Sequence, residues 1–130
     1  MAEVSDFKQL DVWKKGRELV RHVYTTTGRF PGGPRNALAN QMQRAAVSVP
    51  SNIAEGYGRG TRQAYIHSLR IARGSLCELE TQVILARDVG LLGDTAALDV
   101  LVRDTHRLLY GLLRALDEPA SDGKGQAGER

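Results

Sequence analysis

Two stretches of this chain place an arginine five residues ahead of a histidine: Arg17 before His22 and Arg62 before His67. A histidine titrates near neutrality and can move protons, while a guanidinium stabilises charge building on a phosphorane-like oxygen. The pairs could therefore act on a scissile phosphate, but so short a pattern recurs by chance. Other chemistry finds less support. His22, His67 and His106 fall on three separate stretches, and neither Glu78 nor Glu80 has a histidine three residues on, so no local metal set is spelled out. A glycine-rich phosphate loop, a Gly-x-Ser-x-Gly elbow and a His-Glu-x-x-His motif are all missing from the sequence. No catalytic residue, metal or cofactor is expected.

The basic residues are more informative. Fourteen of the 18 are arginine, suited to two-pronged contacts with phosphates and carboxylates. Residues 1–73 carry 12 basic against 5 acidic side chains, and residues 74–122 carry 4 against 9, within a net charge of +3. Such asymmetry suits an anionic polymer or the self-assembly of opposite surfaces. Lys14, Arg17 and Arg21 recur on one flank of a helix, and Arg59, Arg62, Arg70 and Arg73 surround the start of another. These seven are the candidate phosphate contacts. Aromatic residues beside them reduce to Trp13, Tyr57 and Tyr65, too few for base-stacking readout of a single strand. Sequence-tolerant binding through the backbone is the form expected.

A second constellation lies along one edge of the second helical stretch: Arg44, Ser48, Ser51, Asn52, Glu55 and Arg59. It reads either as a polar seam repairing a helix around Pro50 or as a contact surface for a phosphate backbone or another subunit. Glu55 and Arg59 form an i,i+4 pair in the favourable order.

Four helical stretches must position these groups. Leu10 to Thr27 is amphipathic, with Val12, Trp13, Gly16, Leu19, Val20, Val23 and Tyr24 on one arc. Phe30-Pro31-Gly32-Gly33-Pro34 then forces a turn. Arg35 to Tyr57 keeps Leu38, Met42, Ala45, Val49 and Ile53 in one phase across Pro50. That phase predicts one helix kinked at Pro50, with Ser48 or Asn52 bonding a freed carbonyl; two short helices are the rival. Gly56, Gly58 and Gly60 close it. Thr61 caps a third helix to about Val89, whose apolar arc runs from Tyr65 through Ile84 to Ala86. Gly74 with Ser75 offers a small patch for close backbone approach. Asp94 caps a fourth helix from Thr95 to Asp117, stopped by Glu118-Pro119.

The sum is an all-α, antiparallel, up-down four-helix bundle over residues 1–118, with a disordered tail over 119–130. Val47, Val100 and Tyr110 lie off the apolar arcs, which suggests a further buried face. Cys77 is alone, so no disulfide framework exists, and a reducing cytoplasm fits. Polar residues from Met1 to Gln9 resemble no signal peptide, and no apolar run approaches the roughly 20 residues of a membrane span.

The paired Arg-x4-His pattern resembles the signature of HEPN-type ribonucleases, which would put catalysis on Arg62 and His67. A fuller likeness runs through Phe7–Lys15, Phe30-Pro31, Gln41–Arg59 and Arg73–Gln82. These segments resemble the four-helix-bundle proteins encoded in intervening sequences of bacterial 23S ribosomal RNA, over roughly residues 6–116. That resemblance implies a ring-shaped homopentamer. More distantly, it implies kinship with the accessory protein of diversity-generating retroelements, a basic pentamer that binds nucleic acid and a reverse transcriptase. On it, Arg44, Ser48, Pro50, Asn52, Glu55, Gly56, Arg59, Gly74, Ser75, Glu78 and Glu80 are signature residues with structural or subunit-contact roles and no catalytic one. The function expected is a cytoplasmic, non-enzymatic oligomer holding RNA or DNA by its phosphates. A protein-interaction scaffold, or a ribonuclease, is the alternative.

Overall fold

The computed structural model describes residues 6–117. Ahead of the first helix, Phe7–Gln9 forms a 3-10 turn closed by a capping box between Asp6 and Gln9, the Asp6 amide donating to the Gln9 side chain at 3.4 Å, and the Asp6 carboxylate also accepts from the Lys8 amide at 2.7 Å. Helix α1 spans Asp11–Thr27, α2 Ala37–Gly58, α3 Arg62–Asp88 and α4 Ala96–Asp117. Each helix packs against its neighbours in sequence, and α1 also meets α4. The bundle is therefore four-cornered, with α1 diagonal to α3. The expected tail and the stop at Glu118-Pro119 lie outside the described residues.

Local chemistry accounts for the boundaries. Gly32 holds φ +86°, the left-handed region glycine enters freely, and residues Gly33–Arg35 make one 3-10 turn. Helix α2 consequently begins at Ala37, two residues later than the sequence suggests. Asn36 caps it, its side-chain oxygen accepting from the Ala39 amide at 3.0 Å. Thr61 caps α3 through the Ala64 amide at 3.1 Å, and the Asp94 carboxylate accepts from the Ala96 amide at 3.0 Å.

Helix α2 is continuous through Pro50, which excludes two short helices. The ring of Pro50 is accommodated by Gly16 of α1: a Cβ on that glycine would stand 3.2 Å from the Pro50 Cβ. The Asn52 amide donates to the Ser48 carbonyl at 2.8 Å and to the Ser48 hydroxyl at 2.9 Å. The carbonyl that Pro50 leaves without its usual donor is that of Ala46, so the amide serves a neighbouring acceptor.

The core is built mainly from Leu19, Met42, Ile53, Leu69, Leu76, Leu79, Leu98 and Leu109, all fully buried. Buried Thr27 and Thr105 return their hydroxyls to the Val23 and Leu101 carbonyls, one turn back, at 2.8 and 2.7 Å.

Three sequence readings change. Ile84, counted in the apolar arc of α3, is 45% exposed, and Tyr24 of α1 is 48% exposed. Each arc is wider than the stripe the bundle covers. Gly56 does not terminate α2 but lies buried against α3, where a Cβ would meet the Ser68 Cβ at 2.6 Å. Gly74, expected to admit a close neighbour, has nothing within 4 Å of such a Cβ in the chain.

The hydroxyl of Tyr65 is buried without a hydrogen-bond partner, while its ring meets Tyr57 edge-on at 5.8 Å between centroids. Burial first, and Tyr57 second, push its phenol from 10.0 to about 12. The unfolded chain releases that proton near pH 10, whereas the folded chain keeps it until about pH 12. Stability present below pH 10 is thus lost as pH rises through that interval. Tyr65→Phe removes both the orphan hydroxyl and the titration. Urea unfolding should show stabilisation of about 1 kcal/mol near neutrality and a flatter profile between pH 10 and 12. An unchanged alkaline profile would refute this account of Tyr65.

Candidate nucleic-acid interface

Helix α1 turns its apolar stripe of Val12, Gly16, Leu19 and Val23 inward, so Lys14, Arg17 and Arg21 project from the opposite side, all exposed. From Lys14 to Arg21 is about 10 Å along the axis, at 1.5 Å per residue. Arg17 lies over the Trp13 ring, 5.3 Å from its centroid, which orients the guanidinium without neutralising it. Among the described residues, none of the three has a carboxylate partner. Glu18, the nearest acid in sequence, pairs instead with Lys15 at 3.3 Å on the flank toward α4.

The second expected group is differently placed. Arg59 donates to Glu55 at 2.6 Å, Arg62 Nε to the Leu116 carbonyl at 2.6 Å, and Arg70 to Asp117 at 3.3 Å. Arg73 alone of this set has neither an ion pair nor a side-chain hydrogen bond among the described residues. The Arg62 and Arg70 contacts tie α3 to α4, whereas the Arg59–Glu55 pair lies at the end of α2; α3 stands diagonally across from α1. Seven cations that read as one set thus occupy two surfaces facing away from each other. The α1 triad is the unencumbered one.

Sequence reading missed Arg103 and Arg107, which lie in the acidic half of the chain. Arg103 is exposed with no ion pair among the described residues. Arg107 donates to Asp104 at 2.6 Å, and that hydrogen bond holds the Asp104 carboxyl below its ordinary value. Their four-residue spacing on α4 was the available signal, masked by the surrounding acids.

At the α2–α3 seam the signature residues meet. The hydroxyls of Ser48 and Ser75 lie 2.7 Å apart and, with Asn52, close a polar knot between the helices. Arg44 and Glu78 flank it, both exposed and neither in an ion pair among the described residues. Glu80 lies on the other side of α3, 3.4 Å from His106 of α4.

The Arg-x4-His pairs do not converge. Residues five apart on a helix are separated by about 140°. His22 is half-buried on the flank away from Arg17, and Arg62 is engaged with Leu116 while His67 is exposed. Among the described residues, no three His, Cys, Asp or Glu side chains group as a metal site, and no helix is long and apolar enough to cross a membrane.

The sequence profile of the 23S rRNA-intervening sequence protein family matches residues 8–111. A crystal structure from Bacteroides thetaiotaomicron, described as a protein of unknown function from the S23 ribosomal protein family, superposes with a TM-score of 0.71. At 18% identity it covers 79% of this chain and 95% of its own, and it shares the fold. No curated protein matches.

Proposed function

This chain belongs to the 23S rRNA-intervening sequence protein family, and from that premise we propose that it is a non-enzymatic homo-oligomer, a pentameric ring, that holds RNA or DNA by backbone phosphates. The observation carrying the nucleic-acid role is the α1 flank: Lys14, Arg17 and Arg21 exposed together without a carboxylate partner among the described residues. Exposed cations that no intramolecular acid neutralises lose little hydration on meeting a phosphate and release its condensed counterions. Arg73 adds a second, smaller contact, while Arg62 and Arg70 bond α4 and Arg59 pairs with Glu55 at the end of α2. The lone exposed thiol of Cys77 suits a reducing cytoplasm. The exposed apolar side chains also suit a protein partner, and a scaffold that ignores nucleic acid is the competing reading.

Gel-shift titrations with labelled RNA and DNA of mixed sequence, run from 50 to 400 mM salt, test the proposal. Retardation that tolerates sequence, weakens steeply with salt and leaves the probe intact is the expected result. Absence of retardation at low salt would favour the scaffold, and breakdown of the RNA would favour the ribonuclease.

A further inference from the structure

Among the described residues eight large apolar side chains remain exposed, and most of them sit on the two walls that share α3. Ile71, Leu85 and Val89 form a stripe on the wall beside α2, a position set by Ser75 of the same stripe reaching Ser48. Ile84 sits on the other wall, in a groove of about 380 Å³ between α3 and α4. Val83 and Val102 floor that groove, and Arg103 and Glu80 stand at its rim. Tyr110 continues the apolar surface on the Arg103 side of α4, and Val100 stands at the outer corner of the same helix. One wall is therefore a raised stripe and the other a groove.

Their charges match in the same sense. The stripe carries Arg44 and Glu78, which have no ion pair among the described residues. The groove offers Arg103, likewise unpaired, and Glu80, whose partner is a histidine. We infer that the α2–α3 wall of one copy docks into the α3–α4 wall of the next, with Leu85 entering the groove and Glu78 meeting Arg103. Arg44 then lies toward the neighbouring Glu80. The contact is head-to-tail, using two different surfaces of each chain.

Adjoining walls of a four-cornered bundle face about a right angle apart; head-to-tail contacts at a right angle close a ring of four, and opening the angle to about 108° closes a ring of five. Opposite walls would instead propagate a fibre. This arrangement also leaves the cations of α1 outside the contact. The inference rests on the self-assembly proposed above and adds which surfaces meet.

Light scattering on sized wild-type protein, Leu85→Asp and Ile84→Asp separates the two claims, with thermal melts confirming that each variant folds. The wild type is expected to assemble, and each variant alone to run at the mass of one chain. An equimolar mixture of the variants is expected to give dimers, because one keeps its groove and the other its stripe. Tyr24→Asp, on α1, is expected to leave the assembly intact. A second pair guards against misfolding: Glu78→Arg and Arg103→Glu should each weaken assembly, and their combination in one chain should restore it. A monomeric wild type would overturn both self-assembly and this inference. Assembly that survives both aspartate variants, or variants that stay monomeric when mixed, would overturn the head-to-tail contact and leave self-assembly standing.

Discussion

Reversing Lys14, Arg17 and Arg21 to glutamate should abolish retardation of RNA and DNA at 100 mM salt while leaving the melting temperature within a few degrees of wild type. The three side chains project into solvent from the side of α1 opposite its buried stripe, so their loss removes no core packing beyond the Arg17 contact with the Trp13 ring. Each phosphate they neutralise contributes about 0.9 to the slope of log affinity against log salt, and three contribute about 2.7. Between 50 and 200 mM salt that slope alone amounts to a loss on the order of 40-fold per chain. Reversal subtracts those contacts and adds three repulsive charges. The expected loss exceeds 100-fold at low salt, and the residual slope falls by about 3. The same reversal at Arg59, Arg62 and Arg70 should instead lower stability, because those groups bond Glu55, the Leu116 carbonyl and Asp117. If the second set weakened binding more than the first at unchanged stability, the phosphate-contacting surface would be on α3.

Gly56→Ala should destabilise the bundle by about 1–3 kcal/mol in urea unfolding, although alanine is the better helix former by about 1 kcal/mol. The new Cβ would stand 2.6 Å from the Ser68 Cβ and 3.3 Å from the Tyr65 ring. Both β-carbons are fixed to their backbones, so relief requires α2 and α3 to separate and lose contact along their shared face. Ser68→Gly removes the obstructing atom. In that background Gly56→Ala should become neutral or stabilising, and the coupling across the double-mutant cycle should exceed 1 kcal/mol. Simple additivity would show that the two helices do not meet at this point.

These two positions show how the sequence divides. The existence and type of all four helices could be read from spacing, because an apolar residue every three or four positions and a capping side chain act within one turn of the residue concerned. Thr61 and the unbroken phase across Pro50 were legible for that reason, whereas the cap expected at Asp94 falls one residue later, at Thr95, because α4 begins at Ala96. The start of α2 was misplaced because Gly33–Arg35 supports a 3-10 turn as readily as a first helical turn. Gly56 and Gly74 look alike in the sequence, each inside or near the end of a helix. Only the neighbouring helix makes one indispensable and leaves the other beside open space.

The candidate site was legible by type and not by arrangement. Spacing put Lys14, Arg17 and Arg21 on one flank, since all three share a helix. It could not reveal that Arg62 and Arg70 are already bonded to α4, nor that α3 stands diagonal to α1. Residues on one helix have relative directions set by the backbone repeat, a property of the chain itself. The direction of one helix's flank relative to another depends on how each rod rotates to bury its stripe, which the packed core alone decides.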